Sequence, residues 1–297
     1  MVKIAVLLAA YNGVQWLPAQ IESILKQRGV SVTVFVSVDR SSDGTDSLVS
    51  QLALDNPQIR ALPYGERFGG AARNFFRLIR DVDFSEFDYV ALADQDDIWL
   101  EDKLITAHEK ISATGASAYS GNVTAFWPDG RETVLNKVQP QQAYDFLFEA
   151  AGPGCSYVLR TADALEFKRF MTANWSRVGE VSLHDWLLYA WFRANALVWY
   201  MDAIPYMRYR QHTNNQFGAN SGFKAVIGRL SLLRNGWYRG EVNKISSLLA
   251  DKVRGLPSSI TNEGNISRGF LIWNWSKLRR RHRDRIFLLA MVVLGIY

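Results

Sequence analysis

Apolar and polar positions along the first hundred residues follow two alternating rhythms. Lys3 to Ala9 is a nearly unbroken apolar run, suited to a strand buried on both faces. In the next stretch, Val14 to Gln27, Leu17, Ile21, Ile24 and Leu25 recur at the spacing of one helix face. Val30 to Val38 is β-branched and alternating, and it stops at Asp39, where Arg40-Ser-Ser-Asp-Gly44 has the composition of a turn. The alternation then repeats as a helix (Thr45 to Leu54), a short strand (Ile59 to Leu62), a Gly69-Gly70 turn, a helix (Ala71 to Arg80) and a strand (Tyr89 to Ala93). Strands separated by helices imply a parallel sheet with right-handed crossovers, and such sheets bind ligands beyond the carboxyl ends of their strands. Tyr11-Asn12, Asp39 to Asp43 and Asp94 to Asp97 each close a predicted strand, so all three polar clusters fall on that edge.

The second half is mixed. The pattern predicts a helix over Lys103 to Ala113, a strand over Ser117 to Phe126, a Pro-Asp-Gly turn and a helix over Gln141 to Phe148. A strand (Cys155 to Arg160), a helix (Leu183 to Arg193) and paired strands Leu197 to Met201 and Tyr206 to Tyr209 follow. From Gly222 the chain reads as helical and basic, and it ends in a largely apolar run from Ile286 to Tyr297. The organisation expected is a body over 1–220, with halves 1–100 and 101–220, and a helical extension over 221–297.

Composition narrows the classes. Hydrophobic residues at 48% and charged residues at 21% in 297 positions describe a globular chain with a full core, not a disordered one. The single cysteine, Cys155, rules out an internal disulfide and suits a reducing compartment. The N-terminus lacks the pattern of a secretory signal. The net charge of +5 is concentrated: Lys277, Arg279, Arg280, Arg281, Arg283 and Arg285, offset by Asp284, carry all of it, so the rest of the chain is neutral. A nucleic-acid-binding body would instead carry a basic face of its own.

The acidic run carries the first chemistry. Three carboxylates within Asp94-Gln95-Asp96-Asp97 repel one another, and a divalent cation with a taste for hard oxygen ligands removes the conflict. Asp97 also reads as a cap for a helix starting near Leu100. Small residues at Leu8-Ala-Ala-Tyr-Asn12 let a nucleotide approach the backbone, Tyr11 offers a ring for stacking, and Asp39 is placed to accept the imide hydrogen of uracil or thymine. Gly69-Gly-Ala-Ala-Arg-Asn74 sets glycine amides before a helix, suited to phosphate, with Arg73 as a clamp. Neither a dinucleotide GxGxxG fingerprint nor a Walker loop is present.

As a set, Ala-Tyr-Asn, Val-Asp-Arg-Ser-Ser-Asp-Gly-Thr, Gly-Gly-Ala-Ala-Arg-Asn and Ala-Asp-Gln-Asp-Asp-Ile-Trp resemble the family 2 glycosyltransferases of the GT-A fold, in order and spacing over about residues 3–100. Asp-Gln-Asp-Asp-Ile-Trp together with Tyr209-Arg-Gln-His-Thr-Asn-Asn215 looks most like the bacterial rhamnosyltransferase branch, which builds cell-surface polysaccharide from dTDP-L-rhamnose. The resemblance implies a Rossmann-like mixed α/β sheet flanked by helices, and a cytoplasmic enzyme dependent on Mg2+ or Mn2+. It further implies nucleotide contacts at Ala10, Tyr11, Asn12, Asp39, Arg73 and Gln95, Asp94 at the ribose or the metal, Asp96 as the principal metal ligand with Asp97 and His212 as further candidates, and a general base at Asp185. Gly154, Cys155 and Trp186 fall on its acceptor side, facing a saccharide or a polyprenyl-diphosphate-linked saccharide. His212 as a structural histidine and Trp186 as a core residue are the alternatives. A nucleotidyltransferase would carry a Gly-rich basic loop after the first strand, which Ala-Ala-Tyr-Asn-Gly-Val lacks; a silent sugar-nucleotide-binding module would not need Asp96 and Asp185 together.

The terminal apolar run is too short to cross a bilayer, which takes roughly 20 residues. Basic residues beside an apolar segment suit an anionic membrane surface at about 1 kcal/mol per cation, which predicts a peripheral position on the inner face of the plasma membrane. The alternative is a helix packed on the body with its arginines in water.

Overall fold

A computed structural model describes residues 1–212, 236–252, 266–295 and 297. The junction expected near 220, the helical reading of 222–235 and the Thr213-Asn214-Asn215 end of the motif lie outside the described residues.

The first hundred residues fold as the pattern requires. β1 (Val2–Ala10), β2 (Val30–Val38), β3 (Ile59–Ala61) and β4 (Tyr89–Asp94) run parallel, linked by α1 (Leu17–Leu25), α2 (Thr45–Asp55) and α3 (Ala71–Asp81). The apolar run of β1 is buried on both faces because each face meets its own core. Ala5, Leu7 and Ala9 face Phe75, Phe76 and Leu78 of α3, while Ile4, Val6 and Leu8 join Leu17, Ile21 and Ile24 of α1. Fully burying each such leucine or isoleucine stabilises the fold by roughly 1.5–3 kcal/mol. Register fixes the ligand edge: Ala9 lies opposite Asp94, and Ala10 opposite Val38, which Asp39 follows.

Beyond Asp94 the chain builds a second layer. β5 (Ile98–Trp99), β7 (Val123–Phe126), β8 (Glu132–Leu135) and β11 (Met207–Arg210) form a four-stranded sheet, in the order β5-β11-β7-β8. The seven-stranded sheet has the order β10-β6-β9-β4-β1-β2-β3, with β6 (Ala118–Gly121), β9 (Val158–Arg160) and β10 (Trp199–Asp202). β9 is antiparallel to both β4 and β6, so the sheet is mixed. The acidic run is therefore the turn that carries the chain from one sheet to the other. α4 (Lys103–Thr114) follows directly.

The structure corrects the sequence reading at several places. The strand expected over Ser117 to Phe126 is two strands in different sheets, broken at Asn122, whose side chain donates to Ala203 O and accepts the Lys137 amide at 2.7 Å. The strands expected to pair, β10 and β11, belong to different sheets. The helix expected over Gln141 to Phe148 is only a short 3-10 turn, Asp145–Leu147, in which Asp145 is fully buried. A helix that the pattern reading passed over, α5 (Thr161–Ala173), buries Ala164, Phe167 and Met171. α6 (Trp175–Val178) leads to α7 (His184–Ala194), which has the expected place. Three helices follow among the described residues: Trp237–Leu248, Arg268–Trp273 and His282–Leu294. No helix among the described residues is long and apolar enough to cross a membrane.

Candidate functional site

The ends of β1, β2 and β4 interlock through side chains. Gln95 clamps Tyr11 from both sides, its Oε1 accepting the Tyr11 amide at 2.8 Å and its Nε2 donating to the Tyr11 carbonyl at 2.9 Å. Gly13 packs so closely on the Gln95 amide that any side chain at 13 would displace it. Held this way, the Tyr11 ring is 55% exposed at the edge of the site. Asn12 adopts a positive φ of 44°, a conformation asparagine tolerates. Its Oδ1 accepts the Ser42 amide, and its own amide donates to Ser41 Oγ, tying β1 to the turn after β2.

Three residues expected to touch the nucleotide also make bonds within the protein. Ala10 is 1% exposed, and its carbonyl accepts the Asp39 amide and Asn74 Nδ2, so it forms the floor of the site. The Asp39 carboxylate accepts the amides of Arg40, Phe68 and Gly69, which organises the loop before α3. The Gly69 amide expected to meet phosphate is thus already bonded. Arg73 donates from Nε to Gly179 O at 3.1 Å, reaching toward the loop before α7.

The acidic run divides by depth. Asp97 is fully buried, and its Oδ1 accepts the Arg210 amide at 3.1 Å while Oδ2 has no hydrogen-bond partner among the described residues. Asp94, Asp97 and the Cys155 thiol bring ligand atoms within 4.8 Å of one another. Burial, and then the Asp96 charge, lift Asp94 to about 7 and hold Asp97 well above the ordinary carboxylate range. The two carboxylates are hard oxygen donors that fit a divalent cation, whereas the Cys155 thiol, held protonated by burial, does not. Asp96 reaches outward instead: its Oδ2 meets His212 Nε2 at 2.7 Å, and the His212 ring stacks on Trp16 at 4.2 Å. Arg210 Nε donates to the Asp96 carbonyl at 2.7 Å, so β11 buttresses the run from the second sheet.

Asp185 stands at the first turn of α7, with Oδ1 accepting the Trp186 amide at 2.8 Å. Burial raises its carboxyl to about 6, against the pull of that amide. Its charge also raises Asp94, so the carboxylate expected as base lies within electrostatic reach of the acidic run. Gly154 makes the close approach possible, since a methyl at 154 would lie 2.7 Å from His184 Nε2 and 3.0 Å from Asp185 Cβ. His184 is buried, stacks on Phe75 at 4.0 Å, and is pushed down to about 3 by burial, so it stays neutral.

Two acceptor-side expectations are corrected. Cys155 is 1% exposed and lies beneath Asp94 and Asp97, where burial pushes its thiol upward. Trp186 is 3% exposed, donates from Nε1 to Phe146 O and stacks on Tyr238, as a core residue does. The pattern reading missed Lys103. Its ammonium is 1% exposed, sits 3.7 Å over the Trp99 ring and is lowered to about 7 by burial, while the charges of Cys155 and Asp97 pull the other way. Its place directly after the acidic run was the signal. Tyr209, also without an assigned role, is raised by burial and then by Cys155 and Asp94.

The basic cluster is corrected in part. Arg280 is 5% exposed and pairs with Asp145 at 3.2 Å and Glu149 at 3.5 Å; Arg279 donates to Phe148 O and Tyr238 Oη. Arg285 donates to the carbonyls of Arg279 and Arg280. Arg279 and Arg280 fasten the tail to the body and Arg285 braces the tail itself, whereas Arg283 is largely solvent-exposed.

Comparison with known proteins agrees with this geometry. The chain is 43% identical over 291 residues to the dTDP-rhamnosyl transferase RfbG of Shigella flexneri, covering 98% of this chain and 100% of that protein. It is 34% identical over 124 residues to the succinoglycan biosynthesis protein ExoO of Rhizobium meliloti, covering 41% and 34% of the two chains. The fold is shared with S. aureus TarS, solved in complex with UDP-GlcNAc, at a TM-score of 0.55 and 14% identity over 99% of this chain and 82% of that one. Residues 5–163 match the glycosyl transferase family 2 domain, and the chain belongs to that family.

Proposed function

We propose that the chain transfers L-rhamnose from dTDP-L-rhamnose to a saccharide acceptor, free or lipid-linked, in a single inverting displacement. The observation that carries the donor is the full-length likeness to a dTDP-rhamnosyl transferase. In this reading Tyr11, held by Gln95, stacks on the thymine, and the acidic run faces the diphosphate. Asp94, Asp96 and Asp97 would hold Mg2+ or Mn2+, which as a Lewis acid stabilises charge on the departing diphosphate.

The acceptor hydroxyl oxygen bonds to the anomeric carbon as the bond from that carbon to the diphosphate oxygen breaks. Asp185 takes the hydroxyl proton, and the electron pair leaves with dTDP. A carboxylate raised to about 6 is ionised at neutral pH and is a stronger base than a solvated one. Gly154 is buried as Cys155 and Trp186 are, so its part in this reading is to let Asp185 pack close rather than to meet the acceptor. Thermal-shift titration with dTDP-rhamnose, UDP-sugars and GDP-sugars, with and without manganese, tests the donor. Preferential stabilisation by dTDP-rhamnose is expected, and preference for a UDP-sugar would replace it.

A membrane surface suits a lipid-linked acceptor. Ile286, Phe287, Val293 and Leu294 form an exposed stripe on the terminal helix, Trp273 nearby is 88% exposed, and Arg283 sits at the start of the stripe. Because the tail arginines are structural, substitution tests this better than truncation. Phe287→Ser with Trp273→Ser should lower flotation with anionic liposomes, and equal flotation would remove the membrane from the proposal.

A further inference from the structure

The helix Trp237–Leu248 lies beyond residues 5–163 that match the family domain, yet its contacts lead to the base. Glu241 is fully buried, and its carboxylate is directed at a single residue of the body. Oε2 accepts the Ser182 amide at 2.8 Å and Oε1 accepts Ser182 Oγ at 3.0 Å. Lys244 neutralises it at 2.6 Å and donates as well to Glu180 O at 2.9 Å. Ser182 stands at the entry to α7, three residues before Asp185, and the N-cap residue Leu183 supplies no side-chain cap. One turn away, the Tyr238 ring stacks on Trp186 at 5.7 Å, and Tyr238 Oη donates to Phe148 O at 2.7 Å. From the other side Arg73 of α3 holds Gly179 O.

The loop that delivers Asp185 is thus gripped at 179, 180, 182 and 186, and three of these four grips come from the helix Trp237–Leu248. A buried carboxylate is costly unless its bonds are well made. Docking a helix needs only an apolar face, and Val242, Ile245 and Leu248 already supply one. A charge aimed at Ser182, just ahead of the N-cap Leu183, does something an apolar contact does not: it fixes the direction in which the chain enters α7.

We propose that Glu241 is a positioning residue for the catalytic base, so that the helix Trp237–Leu248 is part of the catalytic apparatus. The inference rests on the assignment of Asp185 as base. Misplacing a reacting group by about 1 Å costs on the order of 100-fold in rate, and the Tyr11 end of the cleft is untouched by these bonds.

Steady-state kinetics on the full chain test this. Glu241→Ala should lower kcat ten- to 100-fold with donor KM within twofold of wild type. Glu241→Gln, which can still accept the Ser182 amide and donate to its hydroxyl, should keep at least a third of turnover. Ser182→Ala, which loses one bond of two, should fall between them, and it serves if Glu241→Ala does not fold. Ser247→Ala, on the same helix and bonded among the described residues to Arg177 of α6 and its own helix, is the control and should match wild type. Wild-type kcat in Glu241→Ala, or equal loss in Glu241→Gln and Glu241→Ala, overturns the proposal. Asp185→Asn, run in parallel, separates the two readings: retained turnover there removes the base assignment, whereas a dead Asp185→Asn beside an active Glu241→Ala removes only the positioning role.

Discussion

Replacing Asp185 by asparagine should stop turnover and, at neutral pH, make the protein more stable. Burial holds the Asp185 carboxyl near 6 against an ordinary 3.8, so the fold prefers the neutral acid. The stability this preference contributes is fully present below pH 3.8 and is lost as pH rises through 6. At 1.36 kcal/mol per unit, ionised Asp185 costs about 3 kcal/mol at pH 8 and about 1 kcal/mol at pH 4.5. Asparagine has the same shape and never ionises. The stability gap between Asp185→Asn and wild type should therefore widen by about 2 kcal/mol from pH 4.5 to pH 8. Asp94, raised in part by the Asp185 charge, titrates near 7 and does not cancel, so the comparison is made with Asp94→Asn in both proteins; His184, pushed down to about 3, stays neutral in both. Urea unfolding at pH 4.5, 6 and 8 in EDTA measures the gap. A gap independent of pH would show that Asp185 is not a strained, buried acid, and the reasoning for a tuned base would fail. In the wild type the same ionisation should appear as an acid limb in kcat/KM, activity falling as pH drops through about 6.

Gly154→Ala places a methyl 2.7 Å from His184 Nε2 and 3.0 Å from Asp185 Cβ, so it should cost about 1–3 kcal/mol of stability by overpacking. Because the displaced atoms include the base, kcat should fall far more than donor affinity; unchanged kcat would show that the base does not depend on this contact. Gly240→Ala meets nothing within 4 Å inside a helix and should stabilise by up to about 1 kcal/mol in thermal unfolding. Arg280→Met leaves Asp145 with Arg193 and the Tyr189 hydroxyl and deprives Glu149 of one of its arginines, and should destabilise by about 3–5 kcal/mol in urea. A melting temperature equal to wild type would mean that the tail is held by its apolar contacts alone.

What the sequence made legible was local. β1, β2 and β4 end where polar clusters interrupt apolar runs, and register then aligns Ala9 with Asp94 and Ala10 with Val38, so neighbouring strand ends became one site. α7 was legible too, because its polar start precedes a helical run. The passed-over α5 did carry apolar residues at helical spacing, at Ala164, Phe167 and Met171, but charged residues between them obscured the stripe. The remaining misreadings concern groups whose surroundings come from distant chain. Trp186 and Cys155 look exposed-competent in isolation; only the packing of Tyr238 and of the acidic run over them makes them core. Lys103 in a first helical turn suggests solvent, and it is the fold that places its ammonium over Trp99.

The basic tail is the clearest instance. Its charge density alone reads as an anionic-surface ligand, and nothing nearby in sequence neutralises it beyond Asp284. Its main partners, Asp145 and Glu149, lie more than a hundred residues earlier, in a segment whose periodicity predicted an ordinary helix. Both errors have one cause. Asp145 leaves the helical pattern because Arg193 and Arg280 converge on it, and Arg280 leaves the solvent for the same reason. A buried acid with two arginines can only be inferred jointly, from both ends of the chain. That network carries the tail back across the body to the elements around α7, so the C-terminal helices stand beside the helix that carries Asp185.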